Sequence, residues 1–314
     1  MNRNTYVVVG PLRVDDLCAV HPDIIQGYPS ATSVAGIGYK MVLDLGKNLD
    51  VEGLIHEGTA VIVHDHSFLG GHPKNPVSGT DATKGAPIID EFRARAELSF
   101  VISIGNLEVH DEAVANAIFK TLPGLFFGGG KVFPKYFDVK KQVVISSASA
   151  LRETLKKHKS GSILFDRHDL LEYELASQEG KIDALDALLN CIEFRKSSDQ
   201  DTQGNEAAGS DVNVENKPSG KLAADKYDYA RKYPGWLVPL LVGFQGIEQR
   251  QKRAHTRTPD GVNDHVFAES LYSLGEYKSL ASILASEEDT FLEGSFWKHC
   301  QNKASETFYV TANS

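Results

Sequence analysis

Across the first 147 residues, apolar β-rich segments and amphipathic ones follow a set order, and that order narrows the possible folds more than any motif does. "TYVVVGPLRV" (5–14) is β-branched and apolar, as a central strand is. In "SATSVAGIGYKMVLDL", Ser30 or Thr32 can cap a helix whose Val34, Ile37, Met41 and Leu45 fall at helical spacing. "GTAVIVHDHSFL" (58–69) and "RARAELSFVISIG" (93–105) read as a second and a third strand. "DEAVANAIFKTL" (111–122) is a short amphipathic helix with Ala113, Ala117 and Ile118 on one face, and "PGLFFGGGKVFPKYFDV" leads into another strand. The order β-α-β-β-α-β is that of ferredoxin-like and RRM domains, so the expected class is α+β.

Two features interrupt this pattern. Gly36 and Gly38 each cost their helix up to about 1 kcal/mol relative to Ala, which a tight helix–sheet contact or a closely bound chain would explain. Between the second and third strands, "GGHPKNPVSGTDATKGAP" carries almost no apolar residue, a length of loop that is uncommon unless functional or disordered.

Beyond residue 147 the pattern changes. "SALRETLKKHK", "RHDLLEYELAS" and "KIDALDALLNCIEF" are three helical segments, followed at 197–221 by a polar linker too poor in apolar residues to order itself. "YPGWLVPLLVGFQGIE" reads as a buried aromatic anchor and a strand, and "VFAESLYSLGEYKSLASIL" as a helix. The expected organisation is a core at 1–146 with a long loop at about 67–91, a helical insertion and polar linker at 147–231, and a C-terminal part at 232–314 that packs back on the core.

The formal net charge of −9 argues against indiscriminate nucleic-acid binding, which depends on neutralising phosphates. It leaves room for one basic face and suits a subunit that meets basic partner proteins. Arg250, Lys252, Arg253 and Arg257 crowd into eight residues of the segment 247–261, with Glu248 the nearby acid. A solvated loop is the plain reading. Arginine supplies three of the four charges, however, and its fork matches phosphate. Gly243, Gly246, Pro259 and Gly261 bracket the segment as a projecting loop, where binding residues tend to sit. Gly128, Gly129 and Gly130 let backbone N–H groups approach an anion, with Lys131 adding charge, or form an ordinary hairpin.

Signs of bond-breaking chemistry are weak. His64, Asp65, His66 and His72 invite a metal reading, but His72 falls in a Pro/Gly loop and no second cluster has ligand spacing, so no metal and no cofactor is expected. "GGGK" lacks the P-loop frame, no G-x-S-x-G occurs, and Glu287, Glu288 and Asp289 read as solvated surface. No catalytic residue is expected. Cys18, Cys191 and Cys300 are too few and too scattered for a disulfide framework. No run approaches the roughly 18–20 apolar residues of a membrane span and the N-terminus is unlike a signal peptide, so a cytoplasmic protein is expected.

"GYPSATSVAGIGYKMVL", the glycine triplet, "YPGWLVPLLVGF" and "FAESLYSLGEY" occur in that order. Together they resemble the second Csy-family subunit of type I-F CRISPR surveillance (Cascade) complexes, within the repeat-associated mysterious protein (RAMP) superfamily. The resemblance spans almost the whole chain. It implies a non-catalytic subunit with an RRM-like core that holds CRISPR RNA, as a 5′ handle cap or as a repeated backbone subunit. The implied partners are CRISPR RNA, other Cascade subunits and, through the guide, target DNA, with no membrane. Base pairing would then read the target while protein reads backbone and shape.

The long loop would be a thumb folding over the guide, carrying Phe68, His72, Lys74 and Lys84. Tyr28, Ser30, Ser33, Gly128, Gly129, Gly130 and Lys131 would contact RNA, and Arg250, Lys252, Arg253, His255 and Arg257 would grip phosphates. One departure stands out: Ala31, Thr32 and Ser33 follow Ser30 where the family usually has Pro-Gly. Two other readings remain open. One is a RAMP-like endoribonuclease using His21 or His110; the other is a protein-only scaffold, which the acidic total favours.

Overall fold

The computed structural model describes residues 5–21, 25–27, 29–69, 92–178, 180–196, 229–249, 251–252, 265–286, 291–302 and 307–312. Strand β1 (Thr5–Cys18) is followed by the short pair β2 (Val20–His21) and β3 (Ile25–Gln26), then by helix α1 (Ala31–Leu49). β4 (Ile55–Leu69) and β5 (Arg93–Gly105) precede α2 (Asp111–Thr121), which runs through a 3-10 turn into the hairpin β6 (Phe126–Phe127) and β7 (Gly130–Pro134). α3 (Val139–Gln142), β8 (Val143–Ser147), α4 (Ala148–Lys156) and β9 (Ser162–Asp166) come next. α5 (His168–Ser177), α6 (Ala184–Ile192), β10 (Phe194–Lys196) and β11 (Tyr229–Arg231) follow. β12 (Trp236–Gly246), β13 (Ala268–Ser279), α7 (Leu280–Ala285), β14 (Trp297–Asn302) and β15 (Thr307–Ala312) complete the described chain.

The molecule is of mixed α and β type, built on one large antiparallel sheet. In its N-terminal part the strands lie in the order β4-β5-β1-β8, with β7 beside the far half of β1. Strand parity divides the core. Val7, Val9, Phe100 and Ile102 face the layer of α1 and α2, where Val34, Met41, Leu45, Val114 and Ile118 are buried. Val8, Val101, Ala60 and Ile62 face the opposite side and are covered by Leu151 and Leu155 of α4 and by Leu280 and Ile283 of α7.

The C-terminal strands join this same sheet. β9 pairs with both β4 and β13, the row continues β13-β12-β15-β14, and β14 returns to β4 through the pair Trp297–Thr59. Six strands therefore form a closed circuit. α1 lies against β4 and β5 on one side and against β12, β14 and β15 on the other. Trp297 is fully buried in that layer, its indole N–H donating to the Leu164 carbonyl at 3.3 Å.

The α1 residues expected to face inward, Val34, Ile37, Met41 and Leu45, are all buried. Gly38 makes the close helix–sheet contact, since a Cβ there would overlap the Thr59 side chain, whereas Gly36 has open space beside it. Three expectations are corrected. Residues 268–279 form β13 rather than a helix, because pairing with β12 and β9 on both sides overrides the helix propensity of Leu, Ala and Glu. Trp236 opens β12 as a surface residue, 54% exposed, and the anchor inside is its neighbour Leu237. The inward face of α2 is Val114, Ala115, Ala117 and Ile118, without Ala113.

Candidate nucleic-acid interface

A polar cluster, with Ser30 buried and Ser33 half-buried, assembles where α1 begins. Ser30 caps the helix: its Oγ accepts the Ser33 N–H at 3.2 Å and donates to the Ser33 Oγ at 2.8 Å. No acidic residue occupies the first turn, so nothing there offsets the positive end of a 19-residue helix, a placement that suits an anion.

The glycine triplet folds against this end. Gly128 and Gly129, with φ of +52° and +81°, form the two-residue turn of the β6–β7 hairpin, a conformation that glycine adopts at no steric cost. The Gly128 carbonyl accepts the Cys18 N–H at 2.9 Å, and a Cβ on Gly128 would come 3.9 Å from the Ser33 Oγ. Gly130 is glycine for another reason: a Cβ would meet the Asp15 carbonyl at 2.7 Å, so this position serves close strand packing. Gly129 is the exposed member. A Cβ on it would lie 3.9 Å from Nη1 of Arg93, whose guanidinium also reaches the Asp16 carbonyl at 3.2 Å.

Arg93 was not anticipated, yet the alternation Arg93, Ala94, Arg95, Ala96, Glu97, Leu98 encodes it. The alanines and the leucine are buried, which turns Arg93, Arg95 and Glu97 outward.

From Gly129 a bare strip of sheet continues beyond the cover of α4 and α7. Cross-strand pairs place Arg13 opposite Glu97 and Phe133, and Asp15 opposite Lys131. Arg13 and Lys131 both stand over the Phe133 ring, at 5.1 and 5.5 Å. Asp15 pairs with Arg13 and Arg95, while Glu97 pairs with Lys135 and Lys159. Burial works to raise the Glu97 pKa, but the two lysine bonds outweigh it and hold the carboxyl below its ordinary value. The cations Arg13, Arg95, Lys131, Lys135 and Lys159 face the acids Asp15, Glu97 and Asp65, giving 5 − 3 = +2 on a chain of −9.

The other anticipated residues fall elsewhere. Phe68 is exposed near the end of β4. Lys252 is exposed at the base of the basic loop, beside the bridge Gln251–His265. That base adjoins the Gly246 end of β12, and the strand puts roughly 30 Å between it and Trp236, on the α1 side. The two proposed phosphate grips therefore lie at opposite ends of β12. Tyr28, His72, Lys74, Lys84, Arg250, Arg253, His255 and Arg257 lie outside the described residues.

The histidines have structural partners. His64 bonds the Ser160 carbonyl and the Ser99 Oγ, each at 2.7 Å, and His158 bonds the same Ser99 Oγ at 2.7 Å. Ser99 is fully buried, so this hydroxyl between two imidazoles pins strands together rather than meeting solvent. Burial, then the nearby His64, pushes the His158 pKa down to about 4, and burial lowers that of His64. His110 caps α2, its Nδ1 accepting the Glu112 N–H at 3.3 Å. His21 lies in β2.

Comparison with known proteins shows the family. The family described as CRISPR-associated protein (Cas_Csy2) matches residues 7–311. The CRISPR-associated protein Csy2 of Pseudomonas aeruginosa (strain UCBPP-PA14) is 21% identical over 302 residues, covering 87% of this chain and 86% of that protein. A match running from β1 into β15 takes in every layer described above, and the chain belongs to the CRISPR-associated Csy2 family, subunits of the type I-F system.

Proposed function

We propose that this chain is a non-catalytic, cytoplasmic subunit that binds CRISPR RNA within a type I-F surveillance complex, alongside other subunits and, through the guide, target DNA. Family membership supports the complex. The observation that carries RNA binding is a convergence: Ser33 at the start of α1 meets Gly128 of a distant hairpin, Gly129 of the same turn stands beside Arg93, and past that turn the opposite face of the sheet carries a cationic strip. Helix-end and glycine-turn N–H groups bind phosphate oxygens without regard to sequence, which suits a subunit that must accept any guide.

The core of this reading is a ferredoxin-like (RRM, RAMP) unit at 1–146, supported by the order β8-β1-β5-β4 with α1 and α2 on one face. The thumb at about 67–91, the insertion at 147–231 and the C-terminal part at 232–314 complete it. The loop at 247–261 would serve as a second grip at the far end of β12.

The test is Ser33→Asp in the full chain. A carboxylate in the first turn favours the helix, so the melting temperature should hold or rise. It also repels phosphate: affinity for single-stranded RNA should fall about fivefold or more. The slope of log affinity against log salt should shrink by roughly one lost contact. An unchanged affinity and slope in both Ser33→Asp and Lys131→Ala would overturn the cradle. The protein-only scaffold would then stand in its place.

A further inference from the structure

Beside the α1 cradle a second concavity opens, of about 450 Å³, lined by Gly27, Asp65, His66, Phe68, Ser162, Trp236 and Tyr277 among others. It lies along β4 past Val63. There β5 pairs with one edge of β4, and among the described residues no strand pairs with the other. Phe68 and Trp236 both contribute to its lining, and about half of each side chain is open to solvent. Both rings are steadied from behind: Trp236 rests on Tyr277 at 5.5 Å, and Phe68 lies between Phe92 at 5.7 Å and His66 at 5.9 Å.

We propose that this groove receives an unstacked nucleobase of single-stranded RNA, held against Trp236 and Phe68. The inference rests on the RNA-binding reading and extends it from backbone to bases. Three observations favour a base. The walls offer aromatic faces, on which any base can stack, because every base has a π-face. Asp65, His66 and Ser162, residue types that carry acceptors and donors for a base edge, belong to the same lining, where one Asp65 oxygen accepts the His66 backbone N–H at 2.8 Å. Finally, Gly27 lines the groove and Ser30 caps α1 three residues later, so a strand whose phosphate sits at the helix end lies next to the groove mouth. A duplex, whose bases are already stacked, gains nothing here.

The chain holds two tryptophans, Trp236 half exposed and Trp297 fully buried, so quenching of indole emission reports on Trp236 alone. The full chain is titrated with a fluorescein-labelled single-stranded oligoribonucleotide and with an abasic oligomer of equal length. Binding is read by anisotropy and stacking by quenching. Binding of both oligomers, with quenching only by the one that carries bases, is the expected result. Trp236→Ala should lower affinity for the base-bearing oligomer on the order of tenfold and leave the abasic one unchanged. Trp236→Phe should retain most affinity and lose the quench.

Binding without quenching, and without an effect of Trp236→Ala, would overturn the base site and leave the phosphate cradle standing. Absence of any binding would overturn both. Quenching by a partner subunit or an extended peptide, but not by RNA, would make the groove a protein-docking edge and equally overturn the proposal.

Discussion

Gly36 and Gly38 lie on opposite sides of α1 and answer the same substitution in opposite senses. Gly36→Ala has open space and should stabilise by about 0.5–1 kcal/mol, the helix-propensity gain. Gly38→Ala meets Thr59, which is fully buried and held by His56 at 2.7 Å, so it should destabilise by about 2 kcal/mol. Chemical denaturation of the two variants checks both signs. Titration gives a second residue-scale expectation. Burial pushes His56 and His158 down to about 4, helped by His299 and His64 respectively. The unfolded chain takes up these protons near pH ~6.5, whereas the folded chain refuses them until about pH 4. This contribution to stability is therefore complete above pH ~6.5 and lost as pH falls toward 4. Melting temperature should drop across that window, and His158→Gln should flatten the drop by up to one proton. None of this was legible in sequence, since a buried histidine differs from a loop histidine only through what surrounds it. Arg93 was legible in principle, through the Arg–Ala alternation that opens β5.

Among the elements, β13 shows where local reading fails. "AESLYSLGEYKS" carries helix-forming residues, and its strand character comes from β12 and β9 on either side, both distant in sequence. Trp236 failed for a related reason: an aromatic beside an apolar run suggested burial, but strand parity sends Leu237 inward and leaves the indole at the surface. What sets the entry to β12 is Glu174 of α5. Its buried carboxylate accepts from Lys232 at 2.7 and 2.8 Å, from the Tyr233 hydroxyl at 2.5 Å and from Asn190 at 3.2 Å. Helix α5, with Asn190 of α6, thereby holds the segment that presents Trp236. Glu174→Ala should cost about 2 kcal/mol, because Lys232 is partly exposed and can return to water while Tyr233 loses its acceptor. Faster tryptic cleavage at Arg231 and Lys232, measured beside the unfolding curve, would show the loosening at this point.

At the scale of the molecule, the alternation of β and α segments in the first 147 residues carried the order of the main N-terminal elements, because each of those elements shows its own period in the sequence. The C-terminal half was opaque: β12, β14 and β15 are defined by a helix, α1, that they enclose from the other side. Trp297 is the centre of that enclosure, and Trp297→Ala should cost about 3–5 kcal/mol by thermal or urea denaturation, the usual loss for a large buried aromatic. The same circuit has a consequence for biosynthesis. The pairing of β14 with β4 joins residue 297 to residue 59, so on a ribosome adding roughly 5–20 residues per second, α1 waits tens of seconds for its second wall. Throughout that interval the nascent chain offers an apolar helix to whatever is being made nearby. Translation speed and the order of synthesis of neighbouring subunits thus become part of how this protein reaches its final shape.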